Sequence, residues 1–453
     1  MELIKVCVIT SARSEYGLMR WLMEDLKRSD DFQLQIIVTG SHLMKNFGLT
    51  YREIESDGFF IDAKIPFQLD KSDAVSIGQA TGALSGSLVK ALSDLEPHIV
   101  LVMGDRYELL SVMTACVLTT IPIAHISGGE ITERTIDDQI RHAMTKVSHL
   151  HYVANEVYAA RVYQMGEENW RVCVSGEPGL DNLDRQPVMK IDELQKDLGL
   201  NLSKPTALVT FHPVTLELEN LDWQLKELLK ALEQAAEEQE LQYLITFPNA
   251  DPSSSNIIKA WEEFTYKRTD RKLVKSLGQT RYISALRYLS MMIGNSSSGL
   301  VEAPSFSMPV VNIGNRQQGR LKGKNVFDVG YTHTEINKGI KHALSWDRSV
   351  SCFNPYGNGN SSLKILEHLR YVFSNYNPKQ LISKKFINIK EVVEVERRIK
   401  NKYGIDGVIY QGRTLGFFED DILKYGEGNL SYGYLRTFGN LFYFSVVVFS
   451  TVG

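Results

Sequence analysis

The sequence predicts an α/β protein built from two doubly wound parallel-sheet domains with a cleft between them. Short apolar runs rich in Val and Ile alternate with longer amphipathic stretches, as in parallel strands covered by helices on both faces. The alternation stops after residue 176 and resumes at residue 206. A chain of 453 residues is also too long for one compact core. We therefore expect two domains of ordinary size, followed by further residues.

The strand patterns divide evenly between the two halves. In the first half they cover residues 4–10, 34–39, 98–103 and 122–126, and in the second half 206–211, 241–247, 291–293 and 310–313. The segment between about 178 and 204 is polar and predicts the domain boundary. We predict an N-terminal domain at 1–180, a C-terminal domain at 181–360, a C-terminal helix at 361–385 and a tail of unknown role at 386–453.

Composition excludes several classes of partner. The net charge is -4 and no long Lys/Arg cluster is present, so we expect no nucleic-acid partner. The four cysteines form no CxxC pair and are interpreted as reduced thiols. The apolar run at the N-terminus is too short for a secretory signal, and the run at 441–452 is too short for a transmembrane helix. We expect a cytoplasmic protein with no membrane association.

Charged residues follow the first and third strand patterns. Arg13 lies in the turn after the first strand, where a guanidinium suits an anion such as a diphosphate, although an ordinary surface arginine fits equally well. Asp105 and Arg106 follow the strand at 98–103. Asp105 is either an acid–base group at the strand tip or the N-cap of the next helix.

More acids follow the fourth strand, and an imidazole lies in the second half. Glu130 comes shortly after His125, and Asp137 and Asp138 begin the next helical pattern, so several carboxylates can converge. A solvated helix start is the alternative for the Asp pair. His212 follows the strand at 206–211, at the edge of the second sheet where ligands bind.

The segment from Asn295 to Glu302 is the strongest local signal. A strand leads into a loop with Ser296 and Ser297 and then a helix, an arrangement that suits phosphate oxygens, and Glu302 can accept hydrogen bonds from ribose hydroxyls. Serine capping of the helix is the alternative. The sequence contains neither GxGxxG after the first strand nor GxxxxGK[ST], and no HExxH, so we expect no dinucleotide cofactor and no metal.

Taken together, these strings resemble the hydrolysing UDP-N-acetylglucosamine 2-epimerases of sialic-acid and related nonulosonate synthesis. The resemblance extends from residue 1 to about 385, and it is carried by the strings SARSEYG, VTGSH, GDRYE, HISGGE, IDDQIRHAMTKVSHLH, FHPVTLE, PNAD, GNSSSGLVEAP and GNRQQGR. It implies the GT-B architecture, in which two Rossmann-like domains close on a UDP-sugar. It also implies a homo-oligomer, a dimer or a tetramer.

The resemblance also assigns roles to residues. The residues implied to contact the UDP-sugar are Arg13, Arg106, His212, Asn249, Ser296, Ser297, Glu302 and Arg316. The implied catalytic residues are Asp105, Glu130, Asp137 and His212. The implied reaction removes the C2 proton while the C1–O bond to UDP breaks, and water then adds to the resulting glycal with inversion at C2. No metal or redox cofactor is implied.

One position departs from the family pattern. Many members have HIEGGE with a catalytic Glu where this chain has Ser127, whereas some relatives carry His there and share its extra residue before the Asp pair. The implied substrate is UDP-N-acetylglucosamine, with UDP-2,4-diacetamido-2,4,6-trideoxyglucose of the legionaminic-acid route as the alternative. A GT-B glycosyltransferase and a non-catalytic UDP-sugar sensor are more distant alternatives. The tail from 386 is expected to be dispensable, so a chain ending near Lys385 should keep its turnover.

Overall fold

The computed structural model describes residues 3–69, 73–132, 136–214, 217–248 and 253–388. The chain divides into two units, Met1–Phe386 and Ile387–Gly453, and the fold below belongs to the first. From residue 389 onward the predicted tail, including the apolar run at 441–452, lies outside the described residues.

The first sheet follows the predicted alternation. Among the described residues it has seven strands in the order β3-β2-β1-β4-β5-β6-β7, and all their pairings are parallel. The strands are β1 (Ile4–Thr10), β2 (Phe32–Val38), β3 (Ala63–Lys64), β4 (Ile99–Met103), β5 (Ile123–Ile126), β6 (Leu150–Val153) and β7 (Val172–Val174).

Alternating side chains of β1 enter different cores, because successive residues of a strand point to opposite faces. Val6 and Val8 belong to one core, and Cys7 and Ile9 to the other. Both faces of the sheet are therefore covered. The covering helices are α1 (Arg13–Arg28), α2 (Tyr51–Ser56), α3 (Ala74–Leu95), α4 (Glu108–Thr119), α5 (Ile136–Val147) and α6 (Glu156–Gln164).

The second sheet repeats this design. Its six strands in the described part of the chain run in the order β10-β9-β8-β11-β12-β13 and are also parallel. They are β8 (Thr206–Thr210), β9 (Gln242–Thr246), β10 (Arg271–Val274), β11 (Met291–Gly294), β12 (Val310–Ile313) and β13 (Val326–Val329). The connecting helices are α7 (Asn182–Arg185), α8 (Ile191–Leu198), α9 (Leu221–Gln239), α10 (Ser254–Thr265), α11 (Gly278–Tyr288), α12 (Ser298–Val301) and α13 (His333–Leu344).

Two C-terminal helices, α14 (Ser361–Asn375) and α15 (Pro378–Ile382), return to the first sheet. Leu369 and Leu381 are buried in the same core as Val6 and Val8. The start of α14 is held by the Asp181 carboxylate, which accepts hydrogen bonds from the backbone N–H of Ser361 (2.7 Å) and of Ser362 (2.8 Å). The last helices therefore complete the core of the first half of the chain.

Each sheet has one point where the strand order reverses, between β1 and β4 in the first and between β8 and β11 in the second. Ligands of doubly wound sheets bind at the carboxyl ends of the strands beside such a point. Residues 11–15 and 104–108 follow the strands of the first switch point, and residues 211–212 and 295–297 follow those of the second. These four segments are where the fold favours a ligand.

No helix within the described ranges is long and apolar enough to cross a membrane. All four cysteines are free, and Cys7 and Cys116 are buried. The predicted domain limits at 180 and 360 stay predictions.

Candidate active site

At the first switch point, the Arg106 guanidinium lies between two carboxylates. Its Nη2 atom is 2.9 Å from Glu108 Oε1, and its Nε atom is 3.6 Å from Glu15 Oε1. Glu15 accepts hydrogen bonds from the Ser11 backbone N–H (2.7 Å) and hydroxyl (3.0 Å). Burial raises the pKa of Glu15 to about 7, against the opposing effect of Arg106. Arg106 is thus a fixed cation at the tip of β4.

Asp105 is held by an arginine from the next helix along the sheet. Arg141, on α5, donates to the Asp105 carboxylate, to Asp138 Oδ1 (3.3 Å) and to the backbone carbonyl of Glu130 (3.2 Å). The Arg141 side chain is almost fully buried, whereas about a quarter of the Asp105 side chain is exposed (24%). Tyr107 is the N-cap of α4, so Asp105 does not cap that helix. The Asp105 carboxylate is oriented and still accessible.

Glu130 connects the two halves of the site. Its Oε2 atom is 2.9 Å from Nη2 of Arg320, which lies in the loop after β12. Both side chains are largely buried, and the charge of Asp105 also acts on Arg320. One guanidinium from the second sheet therefore lies among the acids that follow β4 and β5.

A second glutamate lies beside this group. Glu177 lies shortly after the end of β7 and is buried. Its two carboxylate oxygens accept hydrogen bonds from the Ser127 hydroxyl at 3.1 and 3.3 Å. Ser127 follows β5 and has a positive φ of 64°, which brings its side chain toward the neighbouring strand end. Ser127 and Glu177 thus face each other across the β5 and β7 tips.

At the second switch point, His212 and Asn295 exchange hydrogen bonds. The His212 backbone N–H donates to Asn295 Oδ1 (2.7 Å), and Asn295 Nδ2 donates to the His212 carbonyl (2.8 Å). Arg316 Nη1 donates to the Asn295 carbonyl (3.2 Å). Burial, followed by the nearby Arg316 charge, lowers the pKa of His212 to about 3. A neutral imidazole and a guanidinium therefore lie together at this edge.

Ser296 and Ser297 lie in the loop between β11 and α12, and Glu302 follows α12. The Ser296 hydroxyl accepts a hydrogen bond from the Ser298 backbone N–H at 3.4 Å. Burial raises the pKa of Glu302 to about 7. Glu302 is close enough to Glu177 for the two charges to interact, so this loop lies against the acids of the first sheet.

Arg13 lies at the edge of the site and contacts both halves. Its Nε atom donates to Glu53 (2.8 Å), and its Nη1 atom donates to the hydroxyl of Ser276, which follows β10 (3.2 Å).

Two further predicted site residues remain. Asp137 lies in the first turn of α5 and is partly buried. Asn249 lies outside the described residues.

The structure thus brings together Asp105 and Glu130 with residues that were not predicted from the sequence. Arg141, Arg320 and Glu177 are the most important of these. Arg141 lies four residues after Asp137 on an amphipathic helix, and Glu177 follows the end of a strand. Both positions could therefore have been predicted from the sequence as parts of the site. Arg320 is the last residue of the string GNRQQGR, but its pairing with Glu130 could not be predicted because the two residues are far apart in sequence. In the described part of the chain, no cluster of three His, Cys, Asp or Glu side chains is arranged to hold a metal.

Comparison with known proteins agrees with this architecture. The sequence model of the UDP-N-acetylglucosamine 2-epimerase family matches residues 24–370. A GDP/UDP-N,N'-diacetylbacillosamine 2-epimerase (hydrolyzing) of Campylobacter jejuni is 39% identical over 74% of this chain and 85% of the relative. A UDP-N,N'-diacetylbacillosamine 2-epimerase (hydrolyzing) of Legionella pneumophila is 34% identical over 81% of this chain and 96% of the relative.

A solved structure shows the same fold. The UDP-GlcNAc 2-epimerase of Neisseria meningitidis, crystallised with UDP-GlcNAc, superimposes with a TM-score of 0.70 at 18% identity and covers 82% of this chain and 100% of its own. The two parallel sheets and the cleft between them are the GT-B architecture. Within that class, this chain belongs to the UDP-N-acetylglucosamine 2-epimerase family.

Proposed function

We propose that the protein is a hydrolysing UDP-sugar 2-epimerase, which converts a UDP-sugar and water into UDP and the free 2-epimeric sugar. One observation carries the proposal. The Glu130–Arg320 ion pair joins the acids at the strand ends of the first sheet to the loop after β12 in the second. Carboxylates for proton transfer thus adjoin cations and hydroxyls suited to a diphosphate.

In the proposed first step, a carboxylate removes the C2 proton while the C1–O bond to UDP breaks. Asp105 suits the base because Arg141 fixes its orientation and its carboxylate stays partly exposed. Arg316 and the loop with Ser296 and Ser297 would stabilise the leaving diphosphate, and neutral His212 would contribute a hydrogen bond. Glu302 would bind the ribose hydroxyls.

The second step adds water to the resulting 2-acetamidoglycal. A proton reaches C2 from the other face, water oxygen binds C1, and the proton lost by that water goes to a carboxylate. The products are the 2-epimer and UDP. Carboxyl groups and water account for every proton that moves in this scheme. The carboxyl groups at the strand ends of the first sheet can therefore carry out its proton transfers.

We further propose that the sugar is N,N'-diacetylbacillosamine, which is 2,4-diacetamido-2,4,6-trideoxyglucose. The relatives at 39% and 34% identity are named for that sugar, whereas a relative from Neisseria meningitidis named for UDP-N-acetylglucosamine is 30% identical. UDP-N-acetylglucosamine, the substrate implied by the sequence resemblance, is the second candidate. The expected cytoplasmic location and homo-oligomeric state stay predictions.

Product analysis tests the proposal. The purified chain is incubated separately with UDP-N,N'-diacetylbacillosamine, its GDP counterpart and UDP-N-acetylglucosamine, and released nucleotide and free sugar are quantified by chromatography and NMR. We expect nucleotide and 2-epimer in equal amounts, with kcat/KM for the diacetamido sugar at least about ten-fold higher than for UDP-N-acetylglucosamine. The reverse preference would select the second candidate. Release that requires an added acceptor would indicate a glycosyltransferase, and binding without any release would indicate a sensor.

A further inference from the structure

Glu177 differs from Asp105 and Glu130 in having no direct ion-pair partner among the described residues, a property that it shares with Glu302 of the loop proposed to bind UDP. Asp105 is paired with Arg141, and Glu130 is paired with Arg320 at 2.9 Å. The Glu177 carboxylate instead accepts its hydrogen bonds, within the described ranges, from the Ser127 hydroxyl at 3.1 and 3.3 Å. A buried carboxyl group held by a neutral donor retains its proton more readily than one paired with a guanidinium.

The position of Glu177 is fixed by its backbone. Its N–H donates to the Tyr356 carbonyl at 2.9 Å, and the preceding Gly176 has a φ of 85°, which turns the chain sharply after β7. Ser127 is fixed in turn, because its N–H donates to the Tyr152 carbonyl at 2.9 Å. Backbone hydrogen bonds therefore place both partners of the Ser127–Glu177 hydrogen bond.

The charged groups that face Glu177 come from both sheets. They are Glu130 after β5, Glu302 after α12 and Arg320 after β12. Burial and then Glu130 raise the pKa of Glu177 to about 8, with a smaller raising effect from Glu302, whereas Ser127 and Arg320 lower it. The charge of Asp105 also acts on Arg320, so Asp105, Glu130 and Glu177 all interact electrostatically with one guanidinium, which is in direct contact with Glu130.

We propose that Glu177, positioned by Ser127, is the acid that protonates C2 of the sugar when water adds to the glycal. The inference rests on the proposed function. In this step the O–H bond of Glu177 breaks, and the C1–C2 double-bond electrons form the new C2–H bond. Water oxygen binds C1, and the proton lost by that water goes to the carboxylate of Glu130, because Asp105 still holds the proton that it took from C2. Asp105 and Glu130 release these two protons to solvent at the end of the cycle. Glu177 then regains a proton from solvent.

The proposal separates the two halves of the reaction. Proton removal from C2 and departure of UDP do not need Glu177, whereas completion of the free sugar does. A variant without this acid should therefore release UDP and accumulate the 2-acetamidoglycal. Glu177→Gln keeps the size of the side chain and still accepts a hydrogen bond from Ser127, but it cannot donate a proton to carbon.

The first experiment follows UDP by chromatography and both sugars by NMR in the wild type, in Glu177→Gln and in Glu168→Gln. Glu168 is a matched control, because it is ion-paired with Arg171 at 2.8 Å outside the cleft. For Glu177→Gln we expect UDP release within about five-fold of the wild type and free-sugar formation at least about 100-fold lower, with glycal making up the difference. Glu168→Gln should form UDP and free sugar in equal amounts. Equal loss of both activities in folded Glu177→Gln, or the retention of both, would overturn the proposal.

A second variant tests the same point without removing the carboxyl group. The protonated form of Glu177 is the active one, so free-sugar formation should be constant below the pKa of Glu177 and fall as the pH rises above about 8. The Ser127 hydrogen bond lowers that pKa, so Ser127→Ala should move the falling limb to higher pH. If the falling limb of this pH profile did not move, or moved to lower pH, the proposal would be contradicted.

A wild-type protein that released no nucleotide from any sugar nucleotide would be a different result, because the proposed function itself would then fail.

Discussion

Arg141 determines how Asp105 is presented to the cleft. It is buried, and it contacts Asp105, Asp138 and the Glu130 backbone at once. A positioned base needs a fixed direction as much as basicity, because a misplacement of about 1 Å can reduce a rate about 100-fold. The proposed base and the side chain that orients it therefore come from different parts of the chain.

We predict that Asp105→Asn lowers the rate of UDP release at least about 100-fold while the Kd for UDP changes only a few-fold. The amide keeps the shape of the side chain but cannot accept the C2 proton, and the residues proposed to hold UDP lie mainly in the second sheet. Asp138→Asn is the matched variant, because it removes the negative charge paired with the same Arg141 and leaves the Asp105 carboxylate in place. It should stay within about ten-fold of the wild type. Similar rates for Asp105→Asn and the wild type would remove Asp105 from the mechanism.

Elements with long apolar runs were predictable from the sequence. The single helix predicted at 361–385 is instead two helices, α14 (Ser361–Asn375) and α15 (Pro378–Ile382), but the apolar runs at 4–10 and 310–313 coincide with β1 and β12. In such segments burial on both faces leaves a continuous apolar signature, so sequence and structure agree.

Shorter or more polar strands were missed, for identifiable reasons. β3 has two residues and β7 has three, which is too short for any period to be recognised. β10 begins with Arg271, and the next residue is exposed. Its sequence therefore lacks the continuous apolar pattern that predicts a buried strand. At the site, the acids at the tips of β4 and β5 were predictable from strand ends, whereas the partner of Glu130 depends on how the two sheets meet.

The segment after α14 anchors the last helix to the first sheet. Lys384 Nζ donates to both carboxylate oxygens of Glu167 at 2.9 Å and to the Lys146 and Ser148 carbonyls at 2.7 and 2.6 Å. Tyr376 stacks on Trp170 with ring centroids 4.0 Å apart. The residues just before the tail are therefore part of the folded core.

We predict that a chain ending after Asn388 keeps both its stability and its turnover, whereas a chain ending after Asn375 is destabilised. The shorter chain loses the buried Leu381 and the Lys384 cation, although Glu167 stays paired with Lys146 at 2.7 Å, so we expect the free energy of unfolding to fall by about 2–5 kcal/mol. Thermal unfolding and UDP release measured on both chains provide the check. Loss of activity in a stably folded 1–388 chain would mean that the tail contributes to the cleft or to an essential subunit contact.

At the scale of the whole molecule, the two sheets contribute different chemistry to one cleft. The first supplies carboxyl groups at the ends of β4, β5 and β7, and the second supplies His212, Arg316 and Arg320. Arg13 and Arg320 make contacts that cross from one half to the other. The proposed reaction needs both halves, because proton removal at C2 and departure of UDP at C1 occur together.

Isotope exchange at C2 tests this account most directly. The reaction is run in heavy water with the UDP-sugar that the protein converts, and the free sugar is examined by proton NMR and mass spectrometry. Elimination followed by hydration passes through a glycal that carries no hydrogen at C2, so we expect the product to contain one deuterium at C2, with the configuration inverted. A product that retained its original hydrogen at C2 would contradict the elimination route and the roles proposed for Asp105 and Glu177.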